Sequence, residues 1–271
     1  MNRKVLAVIG VGNMAKAILN GILNSNSSNI EQIILFDVNK EQYASLSSIE
    51  KISFADSVEE AVVKSDSVLL SVKPQNYSDV LKRIKASEKY QHKLYVSIGA
   101  GISTKSVCDS LGGADVVRVL PNLPMVIGKG VSVICRNPNV STDDFKFVKD
   151  IFASSGSIVE IDENEMNRII GVTSSSPAYV FKFIDSIYQG ALQQGISSDG
   201  LLDAVCDVVI GSALMVKYGD ISPAELSQRV ASKGGTTEKA IETLDRYLFS
   251  DAIIDAMKAC TDRADELGAL K

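Results

Sequence analysis

Between Lys4 and Asp162 the chain alternates short β-branched runs with segments of helical periodicity, and this alternation leaves few architectures open. KVLAVIG, QIILFD, SVLLSVKP, LYVSIGAG, DVVRVLPN, GVSVICR and SIVEID read as strands. MAKAILNGIL, SVEEAVVKS, DVLKRIK and FKFVKDIFASSG carry apolar residues at helical spacing between them, with Asp56 expected to cap the second and Gly156 to end the last. A strand followed by a helix and another strand calls for a parallel sheet, because only a crossover of that length returns the chain in the same direction. From Glu163 onward only helical patterns follow. PAYVFKFIDSIYQGALQQG opens at Pro177 and stops at Gly195, the usual asymmetry of helix ends. LLDAVCDVVIGSALMVKYG is apolar on most faces, and DAIIDAMKACTDRADELG closes the chain with Ser250 as its expected N-cap.

The first strand runs into Gly10-Val11-Gly12-Asn13-Met14-Ala15, a G-x-G-x-x-A pattern between strand and helix. Glycines there permit a tight turn and close approach of backbone to a pyrophosphate, and the helix N-terminus offers unpaired N–H groups and positive partial charge. Gly10, Gly12, Asn13 and Met14 are therefore candidate dinucleotide contacts; the competing reading is a strand–turn–helix with packing glycines. The second strand ends at Asp37, where a carboxylate accepts from the adenosine ribose and repels a 2′-phosphate. Asp37 leans the cofactor toward NADH over NADPH, Lys40 nearby leans the other way, and a solvated strand-end carboxylate is the plain alternative. Asp56, ahead of the next helix, joins the cofactor candidates. The expectation is an α/β N-terminal domain, a Rossmann-like doubly wound sheet over residues 1–162, followed by an all-helical domain over residues 163–271.

Composition narrows the function classes. The formal charge of the 271 residues is −5, with both signs interspersed, which excludes a basic nucleic-acid footprint or a polybasic membrane patch. No run reaches the roughly 18 apolar residues of a membrane span, and Gly10 and Gly12 break the N-terminal apolar run too early for a secretory signal. Cys108, Cys135, Cys206 and Cys260 form no CxxC pair and point to a reducing cytoplasm. His92 is the single histidine, so neither a His-ligated metal centre nor a His-based triad is expected. A helix apolar all round must be covered on most sides, which in so small a helical domain points to at least a homodimer, the alternative being contact with the N-terminal domain.

Several further stretches carry a resemblance: Val72-Lys73-Pro74, Ser97-Ile98-Gly99-Ala100-Gly101, Pro121-Asn122-Leu123-Pro124, GVTSSSPAYVFKFID and ASKGGTTEKAIETLD. With these, the chain resembles the Δ1-pyrroline-5-carboxylate reductase family from about Lys4 to near the C-terminus. The resemblance implies reduction of a cyclic imine, 1-pyrroline-5-carboxylate, to L-proline by NADPH or NADH. It also implies dimers with interlocking helical domains, often assembled into rings, with the active site near the dimer interface. It places Val72, Lys73 and Pro74 beside the cofactor phosphates and ribose, and Ala100, Gly101, Pro121 and Asn122 near the nicotinamide. Ser176 would begin a helix facing the substrate, and Ser232, Gly234, Gly235, Thr236 and Thr237 would hold its carboxylate. The family usually has Thr where Leu123 stands and Pro where Lys233 stands, and often Gly at Ser175 or Ser176.

Imine reduction asks little of side chains beyond positioning, since the cofactor carries the hydride and a protonated C=N is already electrophilic. The substrate carboxylate needs an anchor, and Gly234-Gly235 opening a helix supplies bare N–H groups with about half a positive charge. A Thr237 hydroxyl would reach the ring nitrogen or the carboxylate, which makes it the catalytic candidate; the alternative has Thr236 only capping the helix. Ser176 reads equally as a cap before Pro177 or as a cap and pocket wall, and Lys73 by itself reads as a strand-end charge. Two other functions stay open: a β-hydroxyacid dehydrogenase using Lys182 for acid–base work, and a non-catalytic dinucleotide-binding regulator, for which Leu123 and Lys233 speak.

Overall fold

The computed structural model describes residues 4–25 and 29–269; the basic start, Met1 to Arg3, lies outside them. Contacts divide the chain into one unit of Met1–Ser175 with Met257–Lys271, and another of Ser176–Ala256. This division differs from a linear cut after residue 162, because the end of the last helix belongs with the N-terminal unit.

The first unit is built on β1 (Lys4–Ile9), α1 (Asn13–Asn24), β2 (Ile30–Phe36), β3 (Ile52–Phe54), α2 (Val58–Val63), β4 (Ser67–Leu70) and α3 (Tyr77–Lys85). It continues through β5 (Leu94–Ser97), α4 (Thr104–Ser110), β6 (Asp115–Leu120), β7 (Gly130–Arg136), α5 (Thr142–Ala153) and β8 (Gly156–Glu160). The strands form one eight-stranded sheet in the order β3-β2-β1-β4-β5-β6-β7-β8. Every neighbouring pair is parallel except β6 and β7. The link from β6 to β7 holds only a 3-10 turn, Leu123–Ile127, too short for a crossover, so β7 comes back antiparallel. The alternation of strands and helices implied a parallel sheet, and this pair is the exception to it.

Both sheet faces are covered, as a mainly parallel sheet requires. On one face Ala15, Ile18, Leu19 and Ile22 of α1 and Phe145, Val148, Ile151 and Phe152 of α5 pack with Leu6, Val8, Ile33 and Leu35. On the other, Val58 and Val62 of α2, Leu81 and Ile84 of α3 and Val107 of α4 pack with Ala7, Ile9, Ile34 and Val68. Successive residues of β1 and β2 thus face opposite layers, the period of two that strands impose.

Two local readings need correction. The cap of α2 is Ser57, whose hydroxyl accepts from Glu60 N–H at 3.0 Å; Asp56 only donates its backbone N–H to Glu60, at 2.7 Å. The helix expected to end at Gly156 ends at Ala153, and Gly156 opens β8 against Gly130. Two elements were not anticipated: β3, three residues stabilised by pairing with β2, and α4, whose sequence TKSVCDS is mostly polar.

A polar network that starts at a buried arginine and runs out to the surface ties the end of the last helix (Phe249–Ala269) to the sheet. Arg118 of β6 is buried and pairs with Glu163 at 2.9 Å, while its other terminal nitrogen donates to Asn167 Oδ1 at 2.5 Å. Asn167 in turn donates to Asp265 at 2.6 Å, and Glu163 also accepts from the Cys135 thiol and from Thr104 N–H. Burial, followed by the Glu163 charge, pushes the Cys135 thiol up, so it stays protonated and donates.

The second unit holds α6 (Ser176–Gln193), α7 (Leu201–Tyr218), α8 (Pro223–Val230), α9 (Thr236–Arg246) and the start of α10 (Phe249–Ala269). Ser176 is the first residue of α6 and follows Ser175 already in helical backbone, so it is not a cap standing outside the helix. Gly195 takes a positive φ just past α6, as its place after the helix suggested. Ser250 is likewise inside α10, because Leu248 adopts φ 53 and turns the chain directly from α9 into the next helix. Apolar residues of α7 face outward from the single chain: Val208 is 63% and Met215 61% exposed, while Val205 is buried. Apolar surface of that extent marks an association face.

Replacing Arg118 by Met should leave Glu163 and Asn167 without their cation and destabilise the first unit by about 2 kcal/mol, less than the cost of breaking a fully buried pair because the Glu163 side chain is 32% exposed. Urea unfolding of wild type and variant checks this; a midpoint within error of wild type would show the network to be dispensable.

Candidate active site

The glycine turn sits where the sheet order reverses, between the C-terminal ends of β2 and β4 on either side of β1. Gly10 donates its N–H to Phe36 O at 2.8 Å and has φ +90. A Cβ there would lie 2.7 Å from Ser71 O, so no other residue fits. Gly12 occupies the cap position of α1 with no side-chain cap, and a Cβ on it would meet nothing within 4 Å. The first turn of α1 therefore points bare N–H groups into open space, the arrangement a diphosphate requires.

Asp37 is locked to this turn. Its Oδ2 accepts from Val11 N–H at 2.7 Å and its Oδ1 from Asn39 N–H at 2.9 Å, so the carboxylate at the end of β2 has a fixed orientation. A groove follows in two parts that share Gly12, Asn13, Ser71, Val72 and Lys73. The wider part, about 670 Å³, is walled by Gly10, Phe36, Asp37, Asn39, Gln42 and Arg83 among others. The narrower part, about 330 Å³, runs past Met14, Pro74, Ile98, Ala100, Pro121 and Ser174. These residues fit a nicotinamide dinucleotide: a carboxylate and apolar walls at one end, bare helix N–H groups in the middle, an apolar slot at the other.

The floor is set by Tyr77, which sequence reading passed over. Its buried hydroxyl donates to Leu70 O at 2.9 Å and lies 3.0 Å from Ser97 Oγ, joining the ends of β4 and β5 beneath the groove. Desolvation pushes the phenol up to about 12, so it stays neutral. Ser71, Ile98 and Ser174 are also groove residues, although none was singled out as a site candidate.

Three candidates stand elsewhere. The Asp56 side chain is 87% exposed and pairs with Lys40 at 2.9 Å. Gly101 has φ +77 and is held by packing, since a Cβ would lie 2.3 Å from Ala264 O of the last helix. Asn122 is a clasp: its amide donates to Thr173 O at 2.9 Å and accepts from Val131 N–H at 2.8 Å. His92 lies in another cavity of about 730 Å³, at the start of the strands, where lysines and carboxylates such as Lys4 and Asp144 pair with one another.

Within the second unit, the loop from Ser232 to Gly235 leads into α9. Gly235 holds the cap position with no side-chain cap, and Thr236 is the first helical residue rather than the cap. The Gly235 N–H is taken by Ser232 O at 2.9 Å and the Gly234 N–H by the Glu238 carboxylate at 2.7 Å. Thr236 and Thr237 thus begin the helix with no side chain capping their turn.

Residues 163–267 match the family model described as pyrroline-5-carboxylate reductase dimerisation, and residues 5–101 match the one described as NADP oxidoreductase, coenzyme F420-dependent. Pyrroline-5-carboxylate reductase of Haemophilus influenzae is 33% identical over 100% of both chains. That of Escherichia coli is 32% identical over 97% of this chain and 98% of its own. A crystal structure of the Plasmodium falciparum pyrroline carboxylate reductase with NADP bound superposes with a TM-score of 0.90 at 29% identity, covering 99% of this chain and 100% of that one. With full-length identity of that order, and a family model over its helical segment, the chain belongs to the pyrroline-5-carboxylate reductase family.

Proposed function

We propose that this protein reduces 1-pyrroline-5-carboxylate to L-proline at the expense of NADH or NADPH, the last step of proline biosynthesis. The observation that carries the reading is likeness along the whole chain to enzymes of that name, at 33% identity to one of them, together with a groove built for a dinucleotide. When bound, the reduced nicotinamide supplies a hydride to the imine carbon, and the ring nitrogen keeps the proton it carried as an iminium.

The chain's own residues bind, orient and exclude water. Gly10, Gly12 and the first turn of α1 hold the diphosphate, with Asn13, Val72 and Lys73 beside it. Met14, Ile98, Ala100 and Pro121 give the nicotinamide end a dry wall. Thr236 and Thr237 offer the substrate carboxylate their backbone N–H groups, and the Thr237 hydroxyl orients the ring. The glycines before them act by shape, because their own N–H groups already have acceptors.

Asp37 favours NADH, because a carboxylate fixed by two backbone N–H groups is placed to accept from the ribose and to repel a phosphate. The outward apolar face of α7 and the family's dimerisation segment support a homodimer at least. No helix among the described residues is long and apolar enough to cross a membrane, and the scattered cysteines suit a reducing cytoplasm.

Purified protein given 1-pyrroline-5-carboxylate should oxidise NADH or NADPH, read at the cofactor's absorbance; tight cofactor binding without turnover would favour a regulatory protein instead. Thr237→Ala should lower kcat/KM by about tenfold, the loss of one hydrogen bond to a charged group, and unchanged kinetics would remove Thr237 from the site. Asp37→Ser should shift the NADH-to-NADPH ratio of kcat/KM toward NADPH by about tenfold, and an unmoved ratio would mean that the carboxylate does not select. Sedimentation should give a dimer or larger; a folded, active monomer would count against association through α7.

A further inference from the structure

Beyond Asp37, the wide end of the groove carries a second arrangement that sequence patterns do not announce. Arg83, in the last turn of α3, makes two parallel hydrogen bonds to Glu59 of α2, Nε to Oε1 and Nη2 to Oε2, both at 3.0 Å. Its guanidinium lies 5.5 Å from the ring centroid of Phe36. Phe36, Val58, Val80 and Arg83 line the same stretch of groove, and Val38 on its rim is 87% exposed. A planar cation held in a fixed fork beside apolar side chains suits a flat heterocycle.

The charges at this end do not suit a phosphate. The Arg83 charge is matched by Glu59, whose carboxyl its hydrogen bonds hold down to about 2, so it is ionised at any working pH. Asp37 and Asp79 add carboxylates to the same wall, with Lys82 beside Asp79 at 3.7 Å. The two polar residues that follow Asp37 are engaged: the Asn39 side chain accepts from Glu41 N–H, and Lys40 pairs with Asp56 at 2.9 Å. Lys16 donates to Gln42 at 3.0 Å, and Lys73 belongs to the stretch shared with the narrow end, beside the glycine turn.

We propose that Arg83, pinned by Glu59 beside Phe36, is the stacking wall for the adenine ring, and that its neutralisation by Glu59 disfavours a 2′-phosphate at this end. The inference rests on the dinucleotide reading and adds a residue pair that selects within it. The adenine is recognised by its π face and the phosphate is rejected for want of an uncommitted cation, so the two halves of the proposal have separate readouts.

Calorimetric titrations with 5′-AMP, nicotinamide mononucleotide, NADH and NADPH test it. Arg83→Leu should weaken AMP and NADH by one common factor, roughly fivefold for a lost cation–π contact, leave nicotinamide mononucleotide unchanged, and weaken NADPH further because Glu59 is left unpaired. AMP binding equal to wild type would overturn the stacking role, and an NADPH loss no larger than that of NADH would overturn the neutralisation. Should Arg83→Leu fail to fold, Arg83→Lys keeps the charge and loses the planar fork, and the same weakening of AMP is expected. Glu59→Gln frees the guanidinium and should raise NADPH affinity relative to NADH by about threefold; no rise would overturn the neutralisation. If wild-type protein binds neither NADH nor NADPH, the dinucleotide reading itself falls and the proposal with it. Binding of both with an indifferent Arg83 removes only the proposal.

Discussion

The structure depends first on the crossing at Gly10. There the chain leaves β1 between the ends of β2 and β4, donating to Phe36 O on one side while its α-carbon nearly touches Ser71 O on the other. The fit leaves no room for a side chain, and it puts the first turn of α1 over the C-terminal edge of the sheet with its N–H groups facing outward. Asp37 reinforces the crossing by accepting from Val11 N–H, so the carboxylate at the end of β2 is a strut of the glycine turn.

The groove inherits its precision from groups that never face it. Tyr77 joins the ends of β4 and β5, and its ring fills the space that a side chain on Gly99 would need. Asn122 donates to Thr173 O and accepts from Val131 N–H, holding the turn between β6 and β7 against the segment that follows β8. Arg118, Glu163, Asn167 and Asp265 then fasten the end of α10 to that same region, where Gly101 permits the helix backbone to approach. Such networks around a buried cation favour one arrangement over neighbouring ones, because a slip leaves more of its polar atoms unpaired.

How far all this was legible follows from the reach of each cause. Strand–helix alternation, the glycine turn and Asp37 are local, and the doubly wound sheet with its dinucleotide groove could be read from them. The antiparallel β7 was hidden because direction depends on the length of a link, not on the strand's own residues. β3 was hidden because three residues carry no periodicity and owe their form to β2. The helix α8 did announce itself, with Ser222, Pro223 and Glu225 in the order of a capped start, but its polar surface masked the signal. Asn122 and Gly101 lie in stretches that point to a cofactor, whereas their atoms serve packing, a distinction that a residue pattern does not carry. Arg83 shows the reverse case, a groove residue that no pattern marked, since its partner Glu59 lies on another helix.

The loop before α9 shows the same limit at the level of single atoms. Two glycines ahead of a helix suggest four bare N–H groups for an anion, but the Gly234 N–H already has the Glu238 carboxylate and the Gly235 N–H has Ser232 O. The glycines are then needed for shape, with Gly234 at φ +74, and any anion held here has to take the donors of the helix proper. Glu238 has a second consequence. Its carboxylate sits in the first turn, where it favours the helix through the dipole while lowering the positive potential an incoming carboxylate would meet. Lys233, one residue ahead of Gly234, supplies a compensating positive charge at a position where the family usually has proline. The glycines that first drew attention to the loop therefore give it its shape, and the side chains that carry charge beside them, Lys233 and Glu238, are of opposite sign.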